Sequence, residues 1–113
     1  MRLKTYKGAG IALFKKTSEG YSILLGKRTI NPGKGKWYIF GGKSKTFDKT
    51  PFETAKREFT EESGIIFETI NSKSCGKYNF NFPFLPDFFL IGYLITQRFL
   101  SCEDFLGSVR YIS

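Results

Sequence analysis

The segment spanning residues 40–65, FGGKSKTFDKTPFETAKREFTEESGI, constrains this chain more than any other. Thr50, Pro51 and Glu53 make a helix start. A capping hydroxyl is followed by proline at the first helical position, where its missing N–H costs nothing. An acid then falls three residues after the cap and can reach back to it. Gly64 is the stop signal, since glycine takes the left-handed conformation that ends a helix. Between these signals Phe52, Ala55 and Phe59 share one face and should pack on a sheet. Glu58 and Glu62 lie one turn apart on another face, with Glu61 beside them. Carboxylates this close repel one another unless something positive sits among them. Arg57 lies four residues after Glu53 and four before Glu61, and either pairing would hold its guanidinium along the helix.

The remainder reads as strands. Residues 8–15 and 21–28 form a predicted hairpin across a polar turn. Residues 29–36 are a loop around Pro32 and Gly33, and residues 37–40 are a short strand running into Gly41 and Gly42. After the helix, strands are expected over residues 65–70, 74–82, 88–97 and 108–112, with a loop carrying Glu103 and Asp104 before the last. One helix set into a mixed sheet makes the fold class α+β. The 113 residues fit one domain, spanning 1–113. Core packing is the default for Trp37, Tyr38 and Phe40, and for Tyr78, Phe80, Phe82 and Phe84, with base stacking as the alternative role.

Composition narrows the chemistry. The chain has no His, which rules out an imidazole base, a Ser-His-Asp triad and most zinc sites. Cys75 and Cys102 show no metal spacing, and reduced, inert thiols in a cytoplasmic protein are the expectation. No apolar run is long enough to span a membrane. The net charge of +8 is uneven: residues 1–49 hold 12 Lys and Arg against 2 Asp and Glu, whereas residues 50–113 hold 6 against 8. A basic half beside an acidic helix suits an anionic ligand that also needs a cation, although lysines on loops and strand edges also serve solubility. Mg2+ or Mn2+ takes oxygen ligands, keeps several waters and lowers the pKa of one of them. Carboxylates at i, i+3 and i+4 supply such oxygens from a rigid base, and a backbone carbonyl from the glycine turn can add another.

At this point the residues carry a family resemblance. Gly42, followed by REFTEESGI at residues 57–65, resembles the Nudix box, GX5EX7REUXEEXGU with U apolar. The second half matches at every specified position, and the preceding KWYIFGGK resembles the strand and glycine pair that lead into the box. The resemblance implies a Nudix-like mixed sheet and a metal-dependent pyrophosphohydrolase acting on a nucleoside diphosphate linked to another moiety. It implies Glu58, Glu61 and Glu62 as metal ligands, Arg57 as the residue orienting them, and the Gly42 carbonyl as a further candidate ligand for Mg2+ or Mn2+. Glu103, with Asp104 next, is the candidate for the carboxylate that such proteins add from a later loop.

Two departures stand out. Lys49 occupies the position eight residues before the arginine, where the box expects Glu, and the segment leading to it from Gly42 is one residue longer than the pattern. Asp48 is a candidate stand-in for the missing acid; the alternatives are that Lys49 weakens metal binding or brings a charge to the substrate phosphates. The family's C-terminal helix has no counterpart before Ser113, and a partner or second copy of the chain could cover that face. The alternative to an enzyme is a Nudix-fold module with impaired catalysis that grips phosphate-rich ligands or RNA through its basic half. The small-molecule nucleotide is the favoured partner.

Overall fold

The computed structural model describes residues 6–81, 86–96, 101 and 108–112. Strands β1 (Gly8–Thr17) and β2 (Gly20–Lys27) form the hairpin, followed by β3 (Trp37–Tyr38) and β4 (Phe40–Lys43). Helix α1 is Pro51–Ser63, and β5 (Ser72–Phe80), β6 (Phe88–Ile95) and β7 (Ser108–Ile112) complete the sheet. The sheet is mixed: β1 and β6 run parallel, pairing residues 8–14 with 88–94, while the other pairs are antiparallel. Among the described residues α1 is the one α-helix. Cys102, Glu103, Asp104, Phe82 and Phe84 lie outside the described residues.

The pairing register shows how the glycine pair is held. Phe14 pairs with Ile23 on one edge of β1 and with Leu94 on the other. Ile11 likewise pairs with Phe40 and with Ile91, so β2 and β4 share one edge of β1. Gly26 pairs with Tyr38 on the edge of β2 that faces β1, because β7 takes the opposite edge. The hairpin strands therefore diverge, and residues 37–43 fill the fork, bonded first to one arm and then to the other.

Helix α1 sits on one face of this sheet. Its side chains Ala55 and Phe59 join Ala9, Ile11 and Leu13 of β1, Leu24 of β2, Phe40 of β4 and Ile91 of β6 in the core. The rings of Phe40 and Phe59 meet edge to face at 5.3 Å between centroids, an arrangement favoured by the ring quadrupoles. Phe52 lies against the core without entering it fully.

Three expectations are corrected. Residues 65–70 do not form a strand. Phe67–Thr69 is a turn of 3-10 helix, which buries Phe67 and Ile70 and leaves Ile66 exposed. A spacing of three between the buried residues is what a 3-10 turn produces. The run 37–40 is broken between β3 and β4 as it passes from one arm of the fork to the other. Of its aromatics Phe40 is in the core and Tyr38 packs against it, whereas Trp37 lies exposed beside Lys27 and Arg110. Tyr78 and Phe80 are also exposed. Their partners Leu90 and Phe88 belong to the register of β6 that alternates with Ile91, in the core, and Phe89, which packs against it.

Candidate active site

The N-terminal end of α1 is held by the signals its sequence carries. The Glu53 N–H donates to Thr50 Oγ1 at 3.2 Å, and the Thr50 N–H donates back to Glu53 Oε2 at 3.0 Å. The Lys49 N–H also donates to Glu53 Oε2, at 2.6 Å. Glu53 is thus spent on the cap and does not pair with Arg57. Gly64 ends the helix at φ 76°, and its N–H donates to the Thr60 carbonyl at 2.9 Å.

Arg57 instead finds its main partner in Asp48. Its Nε donates to Asp48 Oδ1 at 3.2 Å and its Nη2 to Oδ2 at 2.8 Å, a two-pronged pair with fixed geometry. Asp48 is only 3% exposed. It also accepts from the Lys45 N–H and from Thr54 Oγ1, both at 2.9 Å. Thr54 Oγ1 lies 2.8 Å from the Tyr6 hydroxyl, which also donates to the Thr50 carbonyl. Burial works to raise the Asp48 pKa. The hydrogen bonds from Arg57, Lys45 and Thr54 outweigh it and hold the carboxyl at about 2. The hydrogen bond to Asp48 in turn raises the Arg57 pKa above its ordinary value, with burial opposing and Glu58 adding to the rise. Asp48 thus takes the position that sequence spacing had marked as missing, since it lies six residues after Gly42. The extra residue falls between Asp48 and Arg57, not before Asp48, and exposed Lys49 takes no part in holding Arg57.

Beyond Arg57 the three expected glutamates follow. Arg57 Nη1 donates to Glu58 Oε1 at 2.8 Å and to Glu61 Oε1 at 3.3 Å. Glu62 turns toward the sheet, where its Oε1 accepts from the Gly41 N–H at 2.8 Å. Burial, with the charges of Glu58 and Glu61 adding to it and the Gly41 N–H opposing, raises the Glu62 pKa to about 7. Two glycines make this approach possible in different ways. A Cβ on Gly41 would stand 2.7 Å from the Gly10 Cα and 2.8 Å from the Ala9 carbonyl oxygen, which are backbone. A Cβ on Gly42 would stand 2.5 Å from Glu58 Cδ, so the carboxylate occupies the space that the missing side chain leaves. The Gly42 carbonyl, expected as a further ligand, is directed toward β1, since a Cβ on Gly8 would lie 2.5 Å from it. The contribution of Gly42 seen here is the cradle.

Among the described residues no three acidic side chains converge on one point as a closed metal cage. Glu58 and Glu61 share Arg57, while Glu62 is drawn to β4. The donor chemistry nevertheless fits Mg2+ or Mn2+. Such an ion keeps several waters and takes one or two carboxylates together with substrate phosphates. An oxygen-only set of carboxylates, one of them seated in a glycine cradle, matches that need.

Sequence reasoning missed Tyr6 and Thr54 and weighed Asp48 only as a stand-in. Counting forward from Gly42 identifies Asp48. No comparable signal marks Tyr6, 44 residues from the carbonyl to which it donates.

A helix on a mixed sheet, presenting clustered carboxylates beside a paired-glycine strand, is the arrangement these residues build. The sequence model of the NUDIX domain matches residues 4–102, and the chain belongs to that family. The oxidized purine nucleoside triphosphate hydrolase of Danio rerio is 40% identical over 58 residues. That match covers 51% of this chain and 36% of the fish protein, about a third of the relative's length. Among solved structures, a C. elegans Ap4A hydrolase in a binary complex superposes with a TM-score of 0.69 at 15% identity, covering 94% of this chain and 79% of that one. The NUDIX domain of Shewanella oneidensis NrtR, complexed with ADP ribose, gives 0.57 at 17% identity, covering 97% and 74%. These two likenesses establish the fold. No helix among the described residues is long and apolar enough to cross a membrane.

Proposed function

We propose that this chain is a pyrophosphohydrolase that cleaves a phosphoric anhydride bond in a nucleotide-type substrate, using Mg2+ or Mn2+. The observation that supports this most is the seating of Glu58 in the Gly42 cradle, with Glu62 on the Gly41 N–H and Glu61 on Arg57. Glu58, Glu61 and Glu62 would hold the cation, which would screen phosphate charge and supply an activated water. Arg57, fixed by Asp48, orients Glu58 and Glu61 from the side and keeps their mutual repulsion in check. Glu103, which lies outside the described residues and falls between β6 and β7 in sequence, is proposed as the additional acid. The names of the relatives make nucleoside triphosphates, oxidised purine nucleotides, dinucleoside polyphosphates and ADP-ribose the panel to try.

Phosphate or nucleotide release is measured over that panel with each metal. Turnover of at least one substrate is expected, falling about a hundredfold or more in Glu61→Gln and Glu62→Gln, as for the loss of a catalytic group. Wild-type activity in both variants, or no turnover of any member, would overturn the reading. The net charge of +8 favours a second reading, a module that grips phosphates without cleaving them. Salt-sensitive RNA binding by a protein with no hydrolase activity would support it.

A further inference from the structure

Phe47, on the loop between β4 and α1, is 64% exposed. The loop around it is anchored. The Ser44 N–H donates to the Lys7 carbonyl at 2.8 Å, and the Asp48 N–H donates to the Lys45 carbonyl at 3.0 Å. Asp48, the next residue, is buried against Arg57. The Phe47 ring is therefore held in place while most of it faces outward. Its centroid lies 5.5 Å from the Arg57 guanidinium carbon, the same group that reaches Glu58 and Glu61. Lys45 and Lys49, both exposed, lie two residues to either side of it on the same loop, and exposed Lys43 ends β4 just before that loop.

Burial does not account for this position, because a ring this exposed keeps little of the apolar gain. The cation beneath accounts for one face of the ring. An aromatic surface on a lysine-bearing loop beside a carboxylate cluster has the features that bind a nucleotide, with π contact for the base and positive charge for the phosphates.

We propose that Phe47 is a specificity-determining residue, a shelf on which the nucleobase of the substrate stacks while the lysines of the same loop take up phosphate charge. This rests on the hydrolase reading above and adds to it where the base is held. The test compares wild type, Phe47→Ala and Phe47→Tyr, all checked by thermal melting to be folded. Binding of a nucleoside triphosphate and of inorganic tripolyphosphate, which lacks a base, is measured by calorimetry with Mg2+. Steady-state kinetics on the nucleotide accompany it.

Phe47→Ala should weaken nucleotide binding and raise KM by about tenfold, within the range measured for base stacking. Tripolyphosphate binding and kcat should stay within about twofold, and Phe47→Tyr should behave as wild type. Equal losses for both ligands, an unchanged nucleotide affinity, or a fall in kcat with KM unchanged would overturn the shelf. If no substrate turns over, the hydrolase reading fails and the calorimetric comparison still decides. Selective loss of the nucleotide supports the shelf, while parallel loss, no loss or no wild-type nucleotide binding overturns it.

Discussion

The two ends of helix α1 are built on opposite principles. At the N-terminal end both acids have partners: Glu53 accepts from two backbone N–H groups, and Asp48 accepts from Arg57, Thr54 and the Lys45 N–H. Toward the C-terminal end Glu58 and Glu61 share a single guanidinium, Glu62 turns away to the Gly41 N–H, and the last turn carries no basic residue. Acidic groups there also face the negative end of the helix dipole, which favours cations. One end is arranged for stability, and the other carries a repulsion that Arg57 relieves only in part, since the charges of Glu58 and Glu61 still work to raise the Glu62 pKa. A cluster that destabilises its own helix and is held in place by a satisfied network is the mark of a site kept for binding or chemistry.

The sharpest way to separate structure from site is at the two glycines. Gly41→Ala drives a methyl group into the backbone of β1 and should cost about 3 kcal/mol or more, lowering Tm by well over 10 °C. Gly42→Ala displaces only the end of the Glu58 side chain, so it should melt near wild type while losing activity. Similar melting temperatures for the two variants would break the distinction. Next in size is Asp48→Ala, which leaves the half-buried Arg57 without its main partner. A loss of about 3 kcal/mol in urea denaturation is expected, and a loss under 1 kcal/mol would show that Glu58 and Glu61 suffice to hold the arginine.

The same carboxylate predicts a pH dependence. The Asp48 pKa is about 2 in the folded chain and 3.8 in its absence. Its stabilisation is fully present above pH 4 and is lost as pH falls from about 4 to 2. Near neutral pH it amounts to about 2 kcal/mol. Denaturation of wild type and Asp48→Asn should converge over that window. The smallest effects have opposite signs. Thr50→Ala removes the cap and should cost about 1 kcal/mol. Glu62→Gln removes one of the crowded charges, and without added metal it should gain about 1 kcal/mol while losing activity. A Glu62→Gln variant less stable than wild type would mean that the acidic end is not under strain.

Much of this organisation could be read from the sequence, because it depends on local signals. The cap, the stop, the core face of α1 and the order of strands all follow from residues within a few positions of one another. The glutamates and Arg57 are also local. What escaped were contacts whose partners are distant in sequence or whose pattern is ambiguous. Tyr6 reaches Thr50 and Thr54 only because β1 lies beneath α1. Phe67 and Ile70 are buried at the spacing of a 3-10 turn, but the run of Ile65, Ile66, Phe67, Thr69 and Ile70 has the β-branched and aromatic composition of a strand. Trp37 looked like core because it is large and apolar. Its fate was decided by the fork, in which Trp37 pairs with exposed Lys27.

Strand β5 ends the path of the sheet beyond β6, and its register shifts between Ser74 and Gly76. That shift interrupts the regular row of N–H and C=O groups an approaching strand would need. Lys73 and Lys77, both exposed, stand on either side of it. A second chain adding itself along this border would meet a broken ladder and two like charges. The irregularity therefore guards the border against unwanted growth into larger sheets.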